Sequence, residues 1–241
     1  MESVKSARRI SSLSIVFPAY NDYATIASMV LTALRIGKQY TDDIEVIVTN
    51  DGSQDATGLV LEELMQRVPE LHVAAHEHNR GYGSALRSGF SLASKEWIFY
   101  TDGDAQYDPQ EMTRLVDALE PGIDIVNGYK ISRGDGWFRF VIGRIYHHFV
   151  KWLFGLKIKD VDCDFRLFRR EILDRVSLIS VNGAICVEMV KKFQLAGYTF
   201  AEVPVHHYAR PFGVSQFFRL RNFWISAQGL IRLYQELMLK S

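Results

Sequence analysis

Two carboxylates separated by a single glycine, Asp102-Gly103-Asp104, stand where the apolar run Trp97-Ile98-Phe99-Tyr100 stops. The run reads as a short buried strand, so the charge falls at a strand's carboxyl end, where open α/β sheets bind their ligands. In extended chain, residues two apart point to the same side. Asp102 and Asp104 are therefore expected to converge on one ligand, and Gly103 leaves room for a close backbone approach. Paired hard oxygen donors suit Mg²⁺ or Mn²⁺, above all when a diphosphate supplies the remaining ligands. A lone Asp-X-Asp is more often a solvated turn, because turns are rich in Asp and Gly. The elements around it decide between the two.

The same punctuation recurs along the first half of the chain. Leu13 to Phe17 reads as a strand ending on Pro18-Ala19-Tyr20-Asn21-Asp22, and Ile26, Met29, Val30, Ala33 and Leu34 then recur at helical spacing up to about Gly37. Ile44 to Thr49 is a second strand, closing on Asn50-Asp51-Gly52-Ser53-Gln54-Asp55, with Ser53 or Asp55 placed to cap the helix that follows. A weaker strand at His72 to His76 leads into Asn79-Arg80-Gly81-Tyr82-Gly83, whose two glycines can cradle phosphate at a helix start. His72, His76 and His78 read as surface histidines rather than a zinc set, since no Cys or acidic ligand completes them. Pro109 suits the first turn of a helix after Asp108, and Ile123 to Gly128 is the next strand. Strands alternating with helices predict a doubly wound, mostly parallel α/β sheet flanked by helices. Four strand ends carrying Asp22, Asp51, Asp102 with Asp104, and Asn127 predict a site assembled from strand ends.

The second half has a different composition. Up to Ser132 there are 11 Lys and Arg against 19 Asp and Glu, and from Arg133 onward 17 against 9, so a formal net charge of zero hides an acidic half and a basic one. The basic half also holds 19 of the 30 aromatic residues, a combination that suits anionic partners with apolar bodies. Trp137 to Leu156 and Gln216 to Leu239 are aromatic-rich amphipathic stripes interrupted by Arg, Lys and His. Between them lie the acidic Asp160-Val161-Asp162-Cys163-Asp164, a helix from Gly183 to Ala196 with an isolated Glu188, and a last strand from Thr199 to Val205. At 241 residues and 48% hydrophobic content the chain is expected to form one globular domain, without a repeat or linker to divide it. Cys163 and Cys186 lack metal or redox spacing and read as reduced packing residues. No uncharged run reaches bilayer-spanning length and the start has no apolar signal core, so the expected location is the cytoplasm.

Taken together, these stretches resemble family-2 glycosyltransferases of the polyprenyl- or dolichyl-phosphate sugar synthase type. The resemblance rests on the ordered set Phe17-Pro18-Ala19-Tyr20-Asn21-Asp22, Asn50-Asp51-Gly52-Ser53-Gln54-Asp55, Asn79-Arg80-Gly81-Tyr82-Gly83, Asp102-Gly103-Asp104-Ala105-Gln106, Asp162-Cys163-Asp164-Phe165-Arg166 and Arg210-Pro211-Phe212-Gly213-Val214-Ser215. It departs from the usual pattern at Asn50, Asp22 and Gln216, where the family more often has Asp, Glu and Lys. The resemblance implies a GT-A fold, a UDP- or GDP-hexose donor, an Mg²⁺ or Mn²⁺ ion and inversion at the sugar carbon. It divides the chain into a nucleotide-sugar half at 11–132, an acceptor half at 133–215 and a C-terminal amphipathic helix at 216–241. By position it places Pro18, Tyr20, Asp22, Asp51, Gly81 and Ser215 at the substrates, and Asp102, Asp104 and Gln106 on the metal and diphosphate.

Arg133 and Arg210 are the candidate cations for phosphate, since guanidinium matches its oxygens in a bidentate way. The expected acceptor is a lipid phosphate met at the cytoplasmic face of a membrane, with no nucleic-acid partner. A hydroxyl acceptor would instead need a base, for which Asp164 and Glu188 are the candidates. The alternatives are transfer to a soluble saccharide, a nucleotidyltransferase, and a non-catalytic module that binds sugar nucleotides.

Overall fold

Three strands carry apolar side chains on both faces, which is what burial between two helical layers requires. In β1 (Leu13–Ala19), Leu13, Ile15 and Phe17 point to one side and Val16 to the other. β2 (Ile44–Asn50) and β4 (Trp97–Thr101) divide in the same way, with Val46, Val48 and Phe99 on the first side and Ile47, Ile98 and Tyr100 on the second. The computed structural model describes residues 10–133, 147–212 and 220–238. Within them the sheet runs β3-β2-β1-β4-β6-β5-β7, where β3 is Leu71–Ala75, β5 Ile125–Arg133, β6 Phe165–Arg169 and β7 Phe200–His207. β1 to β4 are mutually parallel, as are β5 and β7, while β6 lies antiparallel between β4 and β5.

Helices α1 (Ile26–Gly37) and α4 (Met112–Asp117) cover the first face, bringing Ile26, Met29, Val30, Met112, Leu115 and Val116 into its core. α2 (Thr57–Met65) lies against β3 on the same side, its Leu61 buried. α3 (Tyr82–Leu92), the short α6 (Ile172–Arg175) and α7 (Ala184–Leu195) cover the second face through Leu86, Phe90, Ile172, Ile185, Met189 and Phe193. Asp108 caps the short 3₁₀ turn Pro109–Glu111 by accepting from the Gln110 amide, so Pro109 holds the first-turn place its missing N–H suits.

A third core forms where α5 (147–154) and α8 (Leu220–Met238) meet α7. Val150 and Phe154 of α5, Val187 and Val190 of α7, and Leu230 and Leu233 of α8 are all buried there. In the described parts of the two amphipathic stripes one side is therefore ordinary helix packing, while 137–146 and 216–219 lie outside the described residues. The other side of α5 stays outside, with Trp152 78% exposed and Phe149 54% exposed. No described helix is long and apolar enough to cross a membrane.

β5 corrects one expectation. It continues past Asn127 to Arg133, so Asn127 is no strand-end residue but lies fully buried within the strand, its side chain accepting from the Arg166 guanidinium. β6 explains the geometry that follows from this. Because it runs backwards beside β4, its first residue pairs with Thr101, which brings the preceding Asp164 to the end of β4 where Asp102 begins.

Candidate active site

The carboxyl ends of β1, β2 and β4 and the start of β6 gather Asp22, Asp51, Asp102, Asp104 and Asp164. Gly103 makes this gathering possible, since a Cβ there would stand 2.9 Å from Ile26 Cδ1 and 3.3 Å from the Pro18 carbonyl. Thr25 Oγ1 fastens the same turn by donating to the Gly103 carbonyl at 2.7 Å. Ala105 and Asn21 both take positive φ, 60° and 58°, which lets the two loops turn back sharply. Asn21 is then held to the β2 loop: its amide donates to Ser53 Oγ at 3.0 Å, and its Oδ1 accepts from the Gln54 amide at 2.8 Å.

Asp22 is buried, its Oδ2 accepting from the Tyr20 amide at 3.0 Å and its Oδ1 paired with Arg210. Asp104 accepts from the Gln106 amide at 3.0 Å and stands 3.3 Å from Arg210 Nη1. Asp102 accepts from the Tyr82 hydroxyl at 2.8 Å, and Asp164 accepts from the Cys186 thiol at 3.0 Å. Burial pushes the Asp22 carboxyl up to about 6, against the Tyr20 amide and Arg210, which favour its ionised form. Asp102 is raised well above the carboxylate range by burial and then by the neighbouring Asp164 and Asp104. Asp104 is raised by burial, with the Gln106 amide and Arg210 opposing. The site holds more negative charge than its own cations balance, so a bound cation would relieve it.

Most of the remaining candidates can be placed. Pro18 is buried within β1, paired with Thr49 of β2. Gln106 Nε2 donates to the Tyr208 carbonyl at 3.2 Å and the Tyr208 amide donates to the Gln106 carbonyl at 2.8 Å, which ties the β4 loop to the loop after β7. From that loop comes Arg210, braced by its Nε donating to the Phe212 carbonyl at 2.8 Å. Arg133 ends β5 with its backbone beside His207, while its side chain and all of Ser215 lie outside the described residues.

Three sequence expectations change. Gly81 does not offer a free amide to phosphate: its N–H donates to Asp51 Oδ2 at 2.9 Å, and its φ of 97° serves a close approach in which a Cβ would lie 2.4 Å from the Val181 carbonyl. Glu188 is fully buried and takes the amides of Ile179 and Ser180 at 2.9 and 2.8 Å together with Lys192, so it anchors the 177–182 loop rather than serving as a base. His76 is no surface histidine, for its side chain is 6% exposed and lies against Asp51.

Arg166, Tyr82, Cys186 and His76 support the site, although the sequence assigned none of them a role there. Arg166, with no exposed surface, donates to Asn127, to the Tyr100 hydroxyl at 2.9 Å and to the carbonyls of Val161 and Cys163, so it fixes the loop bearing Asp164. Among the described residues, one group of His, Cys, Asp and Glu brings three possible metal-donor atoms within 4.8 Å: His147, Asp160 and Asp162, with Lys130 Nζ 3.7 Å from Asp160. Asp22, Asp102, Asp104 and Asp164 form no such group, so an ion bound to Asp102 and Asp104 would draw its other oxygens from a ligand.

This arrangement of a mixed seven-stranded sheet with carboxylates at its parallel strand ends is the GT-A fold, and the chain belongs to the Glycosyl transferase family 2, whose sequence model matches residues 14–177. It is 30% identical over 218 residues to the undecaprenyl-phosphate 4-deoxy-4-formamido-L-arabinose transferase of Enterobacter sp. (strain 638), covering 88% of this chain and 64% of that protein. The same transferase from Photorhabdus laumondii is 31% identical over 218 residues, covering 88% of this chain and 65% of that one. The chain thus spans just under two thirds of these relatives' length. In fold it is similar to glucosyl-3-phosphoglycerate synthase from Mycobacterium tuberculosis in complex with Mn²⁺, UDP and glucosyl-3-phosphoglycerate, with a TM-score of 0.70, 21% identity and coverage of 94% of this chain and 80% of that one.

Proposed function

We propose that the chain is an inverting glycosyltransferase that moves a hexose from a UDP- or GDP-sugar to a polyprenyl phosphate at the cytoplasmic face of a membrane. The observation that carries this reading is the set of buried carboxylates around Asp102 and Asp104, which is short of positive charge and exposed to the loop bearing Arg210. The donor set is all hard oxygen, which fits Mg²⁺ or Mn²⁺ with a diphosphate as a further ligand. Asp102 and Asp104 would hold the ion, with Gln106 beside them, and the ion would supply Lewis-acid stabilisation of the leaving diphosphate. Pro18, Tyr20, Asp22, Asp51 and Gly81 would line the donor. Arg210 would offer its guanidinium to phosphate oxygens, with Arg133 and Ser215 as its partners.

An ionised phosphate oxygen of the acceptor attacks the anomeric carbon as the bond from that carbon to the diphosphate breaks, and the nucleoside diphosphate leaves. No proton has to be removed from such an acceptor near neutral pH, which agrees with a site where Glu188 is fully committed elsewhere. In this reading residues 11–132 bind the donor, 133–215 the acceptor, and the outer faces of the helices around Trp152 meet the lipid surface. The acceptor class is that named for the undecaprenyl-phosphate relatives. Transfer is tested with UDP- and GDP-hexoses, Mn²⁺ and vesicles holding undecaprenyl phosphate. Sugar in the organic extract with an equal amount of free nucleoside diphosphate is the expected result; sugar delivered only to a water-soluble acceptor overturns the lipid reading.

A further inference from the structure

Asp51, His76 and Ser88 form a part-buried chain of hydrogen bonds that joins the ends of β2 and β3 to the middle of α3. His76 Nδ1 lies 2.6 Å from Asp51 Oδ1 and His76 Nε2 lies 2.9 Å from Ser88 Oγ. An ionised carboxylate only accepts, so the proton sits on Nδ1, and in the neutral ring Nε2 then accepts from the Ser88 hydroxyl. Asp51 Oδ1 also takes the Arg80 amide at 2.9 Å, and Oδ2 takes the Gly81 amide at 2.9 Å. A carboxylate offers about four lone-pair positions, so three protein donors leave one, on Oδ2, for a ligand. The Asp51 side chain is 4% exposed, and the His76 main-chain amide is itself fixed to the Asn50 carbonyl at 2.9 Å.

We propose that His76, backed by Ser88, is a positioning residue for nucleobase recognition: it locks the Asp51 carboxylate in the one orientation that leaves an acceptor for a ring N–H of the base. This rests on the nucleotide-sugar reading above. Uracil and guanine each carry an imide-type N–H that a carboxylate can accept, and cytosine presents a lone pair at the corresponding edge. The hydrogen bonds of His76 go to Asp51, Ser88 and the Asn50 carbonyl and not to the carboxylates at the end of β4, so its loss should act on the base end alone. The histidine lies in the turn between β3 and α3, where ordinary packing would be satisfied by an apolar side chain. Its use of both ring nitrogens is what distinguishes a positioning role from filling space.

Calorimetry with Mn²⁺ and either UDP, GDP or inorganic diphosphate separates these effects, since diphosphate has no base. His76→Phe keeps the ring's bulk and removes both hydrogen bonds. It should weaken binding of the preferred nucleoside diphosphate by about 10- to 100-fold, the size of a lost hydrogen bond to a charged group, and leave diphosphate affinity unchanged. His76→Asn, which retains a donor near the Nδ1 position, should recover most of the loss. In turnover the variant should raise the donor KM with little change in kcat. Unchanged nucleoside diphosphate affinity, or an equal loss for diphosphate, overturns the inference. If the wild-type protein binds UDP and GDP no better than diphosphate, it is the nucleotide-sugar reading that falls, and the inference with it. Should His76→Phe unfold before binding is measured, Ser88→Ala removes only the far end of the chain: about fivefold weaker nucleoside diphosphate binding supports the inference, and none overturns it.

Discussion

Arg210 pairs with Asp22, 188 residues earlier in the chain, and stands 3.3 Å from Asp104. One guanidinium thus bridges the loops after β1 and β4, and it comes from the turn after β7 that Gln106 and Tyr208 tie down. The arginine sets positive charge against the buried carboxylates Asp22 and Asp104. On the proposed reading, a metal ion with its diphosphate would bring the phosphate oxygens that this guanidinium could bind.

Replacing Arg210 by methionine keeps the length and removes the charge. Donor kcat/KM should fall by about 10²-fold, in line with the loss of one preorganised donor to developing charge. Arg210→Lys should fall less, because it keeps the charge and loses only the fork geometry. Steady-state turnover with saturating Mn²⁺ measures both, and a wild-type rate in Arg210→Met would remove this residue from the phosphate site.

Asp22 gives a pH signature. Its folded pKa of about 6 lies above the ordinary 3.8, so the folded chain holds that proton more tightly than the unfolded one. The stability so contributed is complete below about pH 4 and is lost as pH rises through about 6. Asp102 and Asp104 shift in the same direction. Without metal, the wild-type protein should therefore lose stability between about pH 4 and pH 7, and Asp22→Asn should flatten that slope while gaining about 1–3 kcal/mol at neutral pH. Chemical denaturation at a series of pH values in chelator checks it; parallel slopes for the two proteins would contradict the assignment.

Asp104→Asn tests the metal assignment, since it keeps shape and removes one ligand charge. Folding should survive, because the amide oxygen can still accept from Gln106, while turnover falls by about 10²-fold or more and the Mn²⁺ needed for half activity rises. Turnover that persists in chelator would show that the carboxylate does not act through an ion.

Much of this site could be read from residue order because it is built from strand ends. β1, β2 and β4 are buried on both faces, so they appear as mostly apolar runs, broken only by Ser14 and Glu45 before their polar ends, and the polar residues that stop them mark the edge of the candidate site. Less visible was anything fixed by a distant partner. The reversal of β6 is set by its pairing with β4 and β5, and its short Phe165–Arg169 run has no mark of direction. Asn127 looked like a turn residue because Gly128 follows it, yet that glycine lies inside β5, where a Cβ would stand 2.9 Å from the Phe165 carbonyl. Arg166 finds its acceptors on β4, β5 and its own preceding loop, and His76 finds Ser88 on the next helix. Local pattern contains no trace of such pairings.

The amphipathic stripes of the second half carry the last prediction, because periodicity cannot tell a core face from a lipid-facing one. The structure gives α5 one core face and one outer face: Val150 and Phe154 are buried against α7 and α8, while Phe149 and Trp152 are exposed and lie 6.4 Å apart between ring centroids. An indole 78% exposed beside a second aromatic ring is costly in water and favourable at a headgroup boundary, where tryptophan is enriched. Trp152→Glu and Phe149→Glu should each leave the melting temperature within a few degrees of wild type, since neither side chain contributes to the core, and together they should abolish flotation with anionic vesicles. Transfer to undecaprenyl phosphate in vesicles should fall with binding, whereas hydrolysis or transfer in detergent solution should be retained because Asp102 and Asp104 are untouched. Normal flotation of the double variant would move the membrane contact away from α5, and loss of activity in detergent as well would show that these rings support the site itself.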